Sequence, residues 1–140
     1  MTATLPLLLD TCAAIWISAE QPLVSEALAA IEHSHRSGEC IYVSPITAWE
    51  IGLLVSHAKL TSPLSPQRWF ERLLEAPGVR LADMSPDVLI ASSFLPGAPP
   101  RDPADRILAA TAREYGYRLM TRDTPLLRYA SQGHLQALAC

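Results

Sequence analysis

Apolar and polar positions along the chain fall into short alternating blocks. Leu5–Leu9 is a continuous apolar run closed by Asp10-Thr11, the pattern of a strand covered on both faces. Cys12–Ser18 reads as a short helix or turn. Pro22–His35 reads as a helix with Leu23, Ala27, Ala30 and Ile31 on one stripe, Glu26 and Glu32 off it, and Gly38 as its stop. Cys40–Val43 is a second strand-like run. Ser44-Pro45 then supplies a cap and a first-turn proline for a helix reaching about Ala58. A Pro/Ser connector, Thr61–Pro66, precedes a helix over Gln67–Glu75, and Val79–Ala82 is a third strand. Ser85-Pro86 opens a helix to about Phe94, and Leu95–Arg101 is loop. Asp102-Pro103 opens a helix to Tyr115, stopped by Gly116. Tyr117–Met120 is a strand, Thr124-Pro125 opens a last short helix to about Ala130, and Gln136–Ala139 is a final strand. Strands alternating with helices predict an α/β fold with a parallel sheet, and ligands in such folds gather at the carboxyl ends of the strands.

Composition narrows the class. With 140 residues, 49% hydrophobic and 18% charged, the chain is sized for one domain over 1–140 and has enough apolar surface for a core without staples. No apolar run approaches the roughly 18–20 residues of a membrane span. Met1–Ala19 is apolar but has no basic n-region and is interrupted by Pro6 and Asp10, so it does not read as a signal peptide. The expectation is a soluble, cytoplasmic protein with no membrane partner. Cys12, Cys40 and Cys140 form no CxxC, which argues against a disulfide framework or a zinc ribbon. His33, His35, His57 and His134 form no HExxH, and His33 and His35 read as solvated.

The formal net charge is −3, so this is no basic wrapper of nucleic acid. The charge is uneven, however. Residues 101–140 hold Arg101, Arg106, Arg113, Arg118, Arg122 and Arg128 against Asp102, Asp105, Glu114 and Asp123. Arginine suits bidentate contacts to phosphate or carboxylate.

Several α/β chemistries fall away. The chain has no GxGxxG, no GxxxxGK[ST] and no GxSxG, and its sole lysine, Lys59, stands at a helix end rather than after a late strand as a receiver domain needs. What remains is carboxylates in unusual places. Asp10 is the sole charged side chain in residues 1–19 and follows a buried-looking strand. Glu50 shares a helical-wheel arc with Ile46, Trp49, Leu53, Leu54 and His57, which predicts a carboxylate among inward-packing residues. Such a group must be paired, protonated or metal-bound. Asp105 falls in the first turn of a helix, and Asp123 follows a strand. Parallel strands would bring these acids to one sheet edge, where several carboxylates need a cation to stay ionised together. Oxygen ligands without His or Cys favour Mg²⁺ or Mn²⁺. Plainer roles stand beside this one. Asp102 reads as an N-cap, Asp10, Asp105 and Asp123 are placed to cap helices, and a buried ion pair would account for Glu50.

At this point LLLDT (Leu7–Thr11), SPITAWEIG (Ser44–Gly52), DPADRILAATA (Asp102–Ala112) and LMTRD (Leu119–Asp123) resemble the PIN-domain ribonucleases, above all the VapC-type toxins of toxin–antitoxin pairs. The likeness runs over nearly the whole chain. It implies a PIN-like α/β/α sandwich around a central four- or five-stranded parallel sheet, and a Mg²⁺- or Mn²⁺-dependent endoribonuclease. By position, Asp10, Glu50, Asp105 and Asp123 match the family's acidic quartet as catalytic and metal-binding residues. Thr11 and Thr121 match hydroxyl residues beside it, and Arg106 matches the arginine after the third acid. Pro99-Pro100-Arg101 stands where relatives often carry His before the DP motif.

The resemblance further implies an RNA substrate (tRNA or mRNA), a cognate antitoxin protein and a homodimer. Water attacking phosphorus would leave a 5′-phosphate and a 3′-hydroxyl. Arg101, Arg106 and Arg122 are candidates to hold flanking phosphates. Trp16, Trp49, Trp69 and Phe70 are candidates for an apolar partner surface or for the core. The rival reading is a catalytically inactive PIN-like binding module whose acidic pocket receives an arginine from a partner. A metal-dependent phosphatase acting on small molecules lacks a recognisable nucleophile motif.

Overall fold

A computed structural model of the chain describes residues 5–140; residues 1–4, and with them the first part of the segment read for a signal peptide and of the 1–140 domain, lie outside the described residues. Five strands, β1 (Leu7–Leu9), β2 (Ile41–Val43), β3 (Val79–Leu81), β4 (Arg118–Thr121) and β5 (Ala137–Ala139), form one parallel sheet in the order β3-β2-β1-β4-β5. The five-stranded alternative of the sequence reading is the one observed. β1 is central because its residues are apolar on both faces: Leu7, Leu8 and Leu9 are all buried. The strand starts at Leu7 rather than Leu5. Pro6 has no N–H to offer a ladder, although its carbonyl accepts from Arg118 N at 2.8 Å.

Among the described residues seven helices cover the sheet: α1 (Thr11–Ser18), α2 (Ser25–Ser37), α3 (Pro45–Ser56), α4 (Pro66–Glu75), α5 (Pro86–Ala91), α6 (Pro103–Tyr115) and α7 (Thr124–Ser131). Alternation along the strands separates two cores. Leu8 and Leu119 pack with Ile46 of α3, Leu108 and Ala112 of α6, and Leu126 and Tyr129 of α7. Leu7, Leu9 and Met120 pack on the other face with Ala13, Ala14, Ala27 and Leu73 from α1, α2 and α4. Helices on both faces make the three-layer α/β/α arrangement.

The helix starts follow one chemistry. Ser44, Ser65, Ser85, Asp102 and Asp123 each accept a bond from a backbone N–H of the first turn, with proline at the first or second helical position. Helix α1 is capped by Asp10 without a proline, and helix α2 has no side-chain cap. Helix α2 begins at Ser25, three residues after the predicted start, because Gln21–Val24 is drawn to the sheet end instead: Val24 N donates to Cys140 O and Arg122 to Pro22 O. Gly38 and Gly116 take left-handed conformations that stop α2 and α6. No helix among the described residues is long and apolar enough to cross a membrane.

Candidate active site

Because all strands run the same way, their carboxyl ends open on one edge. The strand order reverses there between β1 and β4, the usual place for a ligand crevice. Asp10 follows β1 directly and is 3% exposed. Its backbone N–H donates to Met120 O of β4 at 3.1 Å, which fixes its height on the sheet. One carboxylate oxygen, Oδ1, accepts from Ala13 N at 2.6 Å and caps α1. The other, Oδ2, accepts from Thr121 Oγ1 at 2.5 Å. Thr121 in turn accepts from Asp123 N at 3.0 Å, so one buried hydroxyl ties the acids of β1 and β4 together. Asp123 Oδ2 caps α7 through Leu126 N at 3.0 Å.

Glu50 stands on α3, half-buried, and accepts from Thr11 Oγ1 at 2.5 Å. Thr11 spends its single hydroxyl hydrogen there, so the 3.1 Å contact between Thr11 and Thr47 has Thr47 as donor. The buried ion pair weighed as an alternative for Glu50 is not found: the salt bridges among the described residues join Arg68 to Glu71 and Glu75 at the surface. The predicted inward arc of α3 is likewise corrected. Ile46, Thr47 and Ile51 are the buried residues, whereas Trp49 is 53% exposed and Leu53 and His57 are exposed. The arc is turned by about one position, so Glu50 lies at the margin of the covered face.

Asp102 is the N-cap of α6, accepting from Asp105 N at 3.0 Å. The Asp105 carboxylate itself takes no hydrogen bond among the described residues. It is therefore a first-turn acid and not a cap. Asp10, Asp105 and Asp123 thus stand at the amino ends of α1, α6 and α7, where the helix dipoles favour negative charge.

The charges respond to one another. Burial raises the Asp10 carboxyl above its ordinary range despite the Thr121 and Ala13 bonds, and Asp123 adds to the rise. Burial also raises Glu50, against the opposing Thr11 bond, with Asp102, Asp10 and Asp123 adding. Asp105 is pushed up to about 7, first by burial and then by Asp123, Asp102, Glu50 and Asp10. The Cys12 thiol, on α1, is raised to about 11 by burial and by the same four acids, Asp10, Glu50, Asp105 and Asp123. The four carboxylates therefore share one electrostatic neighbourhood. Among the described residues they are not drawn into a closed cage of three or more ligands. Asp10 is anchored by Thr121 and the Ala13 amide, Glu50 by Thr11, and Asp123 by the Leu126 amide of α7. The donor set is all oxygen, Glu50 and Asp123 each use one carboxylate oxygen and Asp105 neither, and among the described residues no guanidinium pairs with them. This chemistry fits a hard divalent cation.

The arginines divide by role. Arg106 donates through Nε to Pro100 O at 2.8 Å and through Nη1 to Ser92 O at 3.3 Å, so it pins the loop before α6. Arg122 lies 3.4 Å over the Trp16 ring and donates to Cys140 O at 2.8 Å and Pro22 O at 3.2 Å. Its placement is that of a clamp on the end of β5, away from the phosphate-holding expectation. Arg101 is exposed beside Asp102. Trp16, Trp69 and Phe70 are partly buried, and Trp69 lines an apolar groove of about 660 Å³ with Ile15, Ile17, Ile31, Leu60 and Leu64. The three cysteines are free. Thr47, fully buried beneath the Thr11–Glu50 pair, escaped the sequence reading because a helix threonine gives no signal of its partner.

The chain is similar to known proteins in sequence and in fold. Residues 7–132 match the PIN domain family. The chain is 37% identical over 120 residues to Ribonuclease VapC22 of Mycobacterium tuberculosis, covering 85% of this chain and 88% of that protein. The fold is similar to that of VapBC2 from Rickettsia felis bound to a DNA fragment from their promoter, with a TM-score of 0.66 at 15% identity, over 95% of this chain and 97% of that one. It is also similar to FitAcB from Neisseria gonorrhoeae, with a TM-score of 0.54 at 23% identity, over 94% of this chain and 96% of that one. The chain belongs to the PIN-domain family and, within it, to the VapC kind.

Proposed function

We propose that this protein is a Mg²⁺- or Mn²⁺-dependent endoribonuclease and the toxin of a toxin–antitoxin pair. The observation that supports the reading is the mutual electrostatic influence of Asp10, Glu50, Asp105 and Asp123 near the carboxyl ends of the strands, with no salt bridge to any of them among the described residues. A structural role would not favour that arrangement, since buried like charges oppose folding. Kinship with a VapC ribonuclease supports the same reading.

Asp10, Asp105 and Asp123 would hold the cation, with Glu50 as a further ligand or as the group that orients the attacking water. Bound there, a divalent cation supplies Lewis acidity toward water and phosphate. The chain's own residues do the rest. Thr121 fixes the Asp10 carboxylate and leaves it lone pairs to share, since each carboxylate oxygen has two. Thr11, backed by Thr47, holds Glu50 so that its second oxygen is available to accept a proton from water. Hydrolysis forms a bond from water oxygen to phosphorus and breaks the bond from phosphorus to O3′. The departing oxygen takes a proton, giving a 3′-hydroxyl and a 5′-phosphate.

The antitoxin is proposed as a small protein partner, and the apolar groove lined by Trp69 is the surface with the chemistry to receive its apolar side chains. The inactive-module alternative has no observation in its favour: the acids that would receive a partner's arginine are those that match the nuclease pattern. The test is incubation of the purified chain with total tRNA and with mRNA, with Mg²⁺ and with EDTA. Cleavage that requires Mg²⁺ and is lost in Asp10→Asn is the expected result. No nicking of any RNA at high protein concentration would remove the enzyme reading.

A further inference from the structure

The end of α7 and the turn after it grip the loop that enters α6. Tyr129, on α7, is 1% exposed, and its Oη donates to Pro96 O at 2.6 Å. Its ring stacks on the His134 imidazole, with centroids 5.1 Å apart and planes 29° from parallel. The imidazole in turn lies against Gly97. A Cβ built on Gly97 would meet His134 Nε2 well inside contact distance and Cδ2 at 2.9 Å, so no larger residue enters while the ring keeps its place. Gly97 also takes φ +71°, a conformation open to glycine at no steric cost. Arg113 of α6 donates to His134 O and fixes the turn that carries the ring.

The gripped segment leads straight into the acid site. Ala104 and Leu108 seat α6 in the core, whereas Asp102 is exposed and takes its position from the loop before it. Asp102 caps α6 by accepting from Asp105 N at 3.0 Å. The Asp105 carboxylate has no hydrogen bond among the described residues, unlike those of Asp10, Glu50 and Asp123. Its place is therefore set by the backbone of the first turn of α6. Arg106 holds the loop through Pro100 O, but it belongs to α6 and moves with that helix. Tyr129 and His134 hold the loop from a different frame. Helix α7 has Asp123 as its N-cap and Tyr129 near its other end. One short helix thus carries one site acid and the grip on the loop of another.

We propose that Tyr129, His134 and Gly97 form a latch that sets the Asp102 cap, and through it the place of Asp105 relative to Asp123. They are positioning residues and touch no reacting group. The inference rests on the nuclease reading for its consequence, a cation site whose ligands are ordered before the ion arrives.

The test uses the full chain, labelled with ¹⁵N, and the variants Y129F, H134A, G97A and G97A/H134A. Y129F removes one hydroxyl and keeps the buried ring. In metal-free buffer the Ala98, Asp102 and Asp105 amides should shift in Y129F, and the Asp105 amide should exchange with solvent about fivefold faster. Mn²⁺ should bind Y129F and H134A about threefold to tenfold more weakly. G97A should show larger effects, because the new methyl drives the ring away. In G97A/H134A the methyl meets no ring, Tyr129 re-engages Pro96, and part of the loss should be recovered. Y129F and H134A decide the matter if G97A does not fold. A latch that serves stability alone would lower the urea midpoint and leave Asp105 exchange and Mn²⁺ affinity unchanged, and that result would overturn the proposal. Shifts that stop at Ala98 would overturn it too. An unaltered chain that binds no Mn²⁺ removes the nuclease reading, and the Asp105 amide then decides the latch by itself. Equal Mn²⁺ binding by all five proteins removes the latch and leaves the nuclease reading standing.

Discussion

The Thr121 hydroxyl donates to Asp10 Oδ2 at 2.5 Å across the β4–β1 pairing, joining residues 111 positions apart in sequence. Both residues are buried, and the same Thr121 oxygen accepts the Asp123 amide. A single side chain therefore sets the relative position of two acids from different strands.

Replacing that hydroxyl by a methyl group in Thr121→Val leaves shape nearly constant and removes the donor. The buried carboxylate then loses a partner, at a cost of about 1–3 kcal/mol by urea unfolding. Divalent-cation affinity and cleavage should fall by about 10–100-fold. Thr121→Ser, which keeps the donor, should restore most of both.

The Thr47–Thr11–Glu50 relay carries a pH signature. The Thr11 bond lowers the Glu50 pKa against the burial that raises it. In Thr11→Val the lowering is lost, so the Glu50 pKa rises further. The acid limb of the pH–rate profile should move to higher pH, while the alkaline limb stays in place. An acid limb at its original position would remove Glu50 from the proton chemistry.

Stability should fall as pH rises when a chelator is present. Asp105 keeps its proton in the folded chain up to about 7 but releases it near 3.8 in an ordinary setting. Asp10 and Glu50 are raised in the same direction. Between those values the folded state binds more protons than the unfolded one, which makes the slope of unfolding free energy against pH negative. Thermal unfolding in EDTA should therefore show a higher Tm at pH 5.5 than at pH 8, before general acid unfolding sets in. Asp105→Asn should flatten the slope. Added Mg²⁺ should raise the Tm at pH 8 and not at pH 5.5.

Arg122 separates a structural arginine from a substrate-binding one. Its stack on Trp16 and its bonds to Cys140 O and Pro22 O tie β5 to the start of α2. Arg122→Ala should cost about 1–2 kcal/mol in urea unfolding. KM for RNA should hold within about twofold. A large rise in KM with unchanged stability would return Arg122 to the substrate.

Much of this was legible in the residues, and the misses have physical causes. The Ser-Pro and Asp-Pro pairs announced the starts of α3, α5 and α6, because a capping oxygen and a fixed φ are local chemistry. Asp10 and Asp123 were readable both as caps and as site acids, and they cap α1 and α7 at the carboxyl ends of β1 and β4. One carboxylate has acceptors for both tasks. The buried face of α3 was misread because a helical wheel ranks positions by apolarity. The real face includes Thr47, whose polarity is met by Thr11 from another element. The roles of Arg122 and Arg106 were invisible because carbonyl acceptors carry no sequence signal. Likewise a cavity walled by Pro99 and Pro125 joins segments that only the fold brings together.

The most direct test of the acid crevice is Mn²⁺ titration followed by electron paramagnetic resonance at pH 8, on the full chain and on Asp10→Asn, Glu50→Gln, Asp105→Asn and Asp123→Asn. Saturable binding that weakens at least about tenfold in Asp10→Asn and Asp105→Asn, with folded variants by circular dichroism, is the expected result. Mn²⁺ that stays free in solution with the unaltered chain, or binds all five proteins alike, would contradict the account.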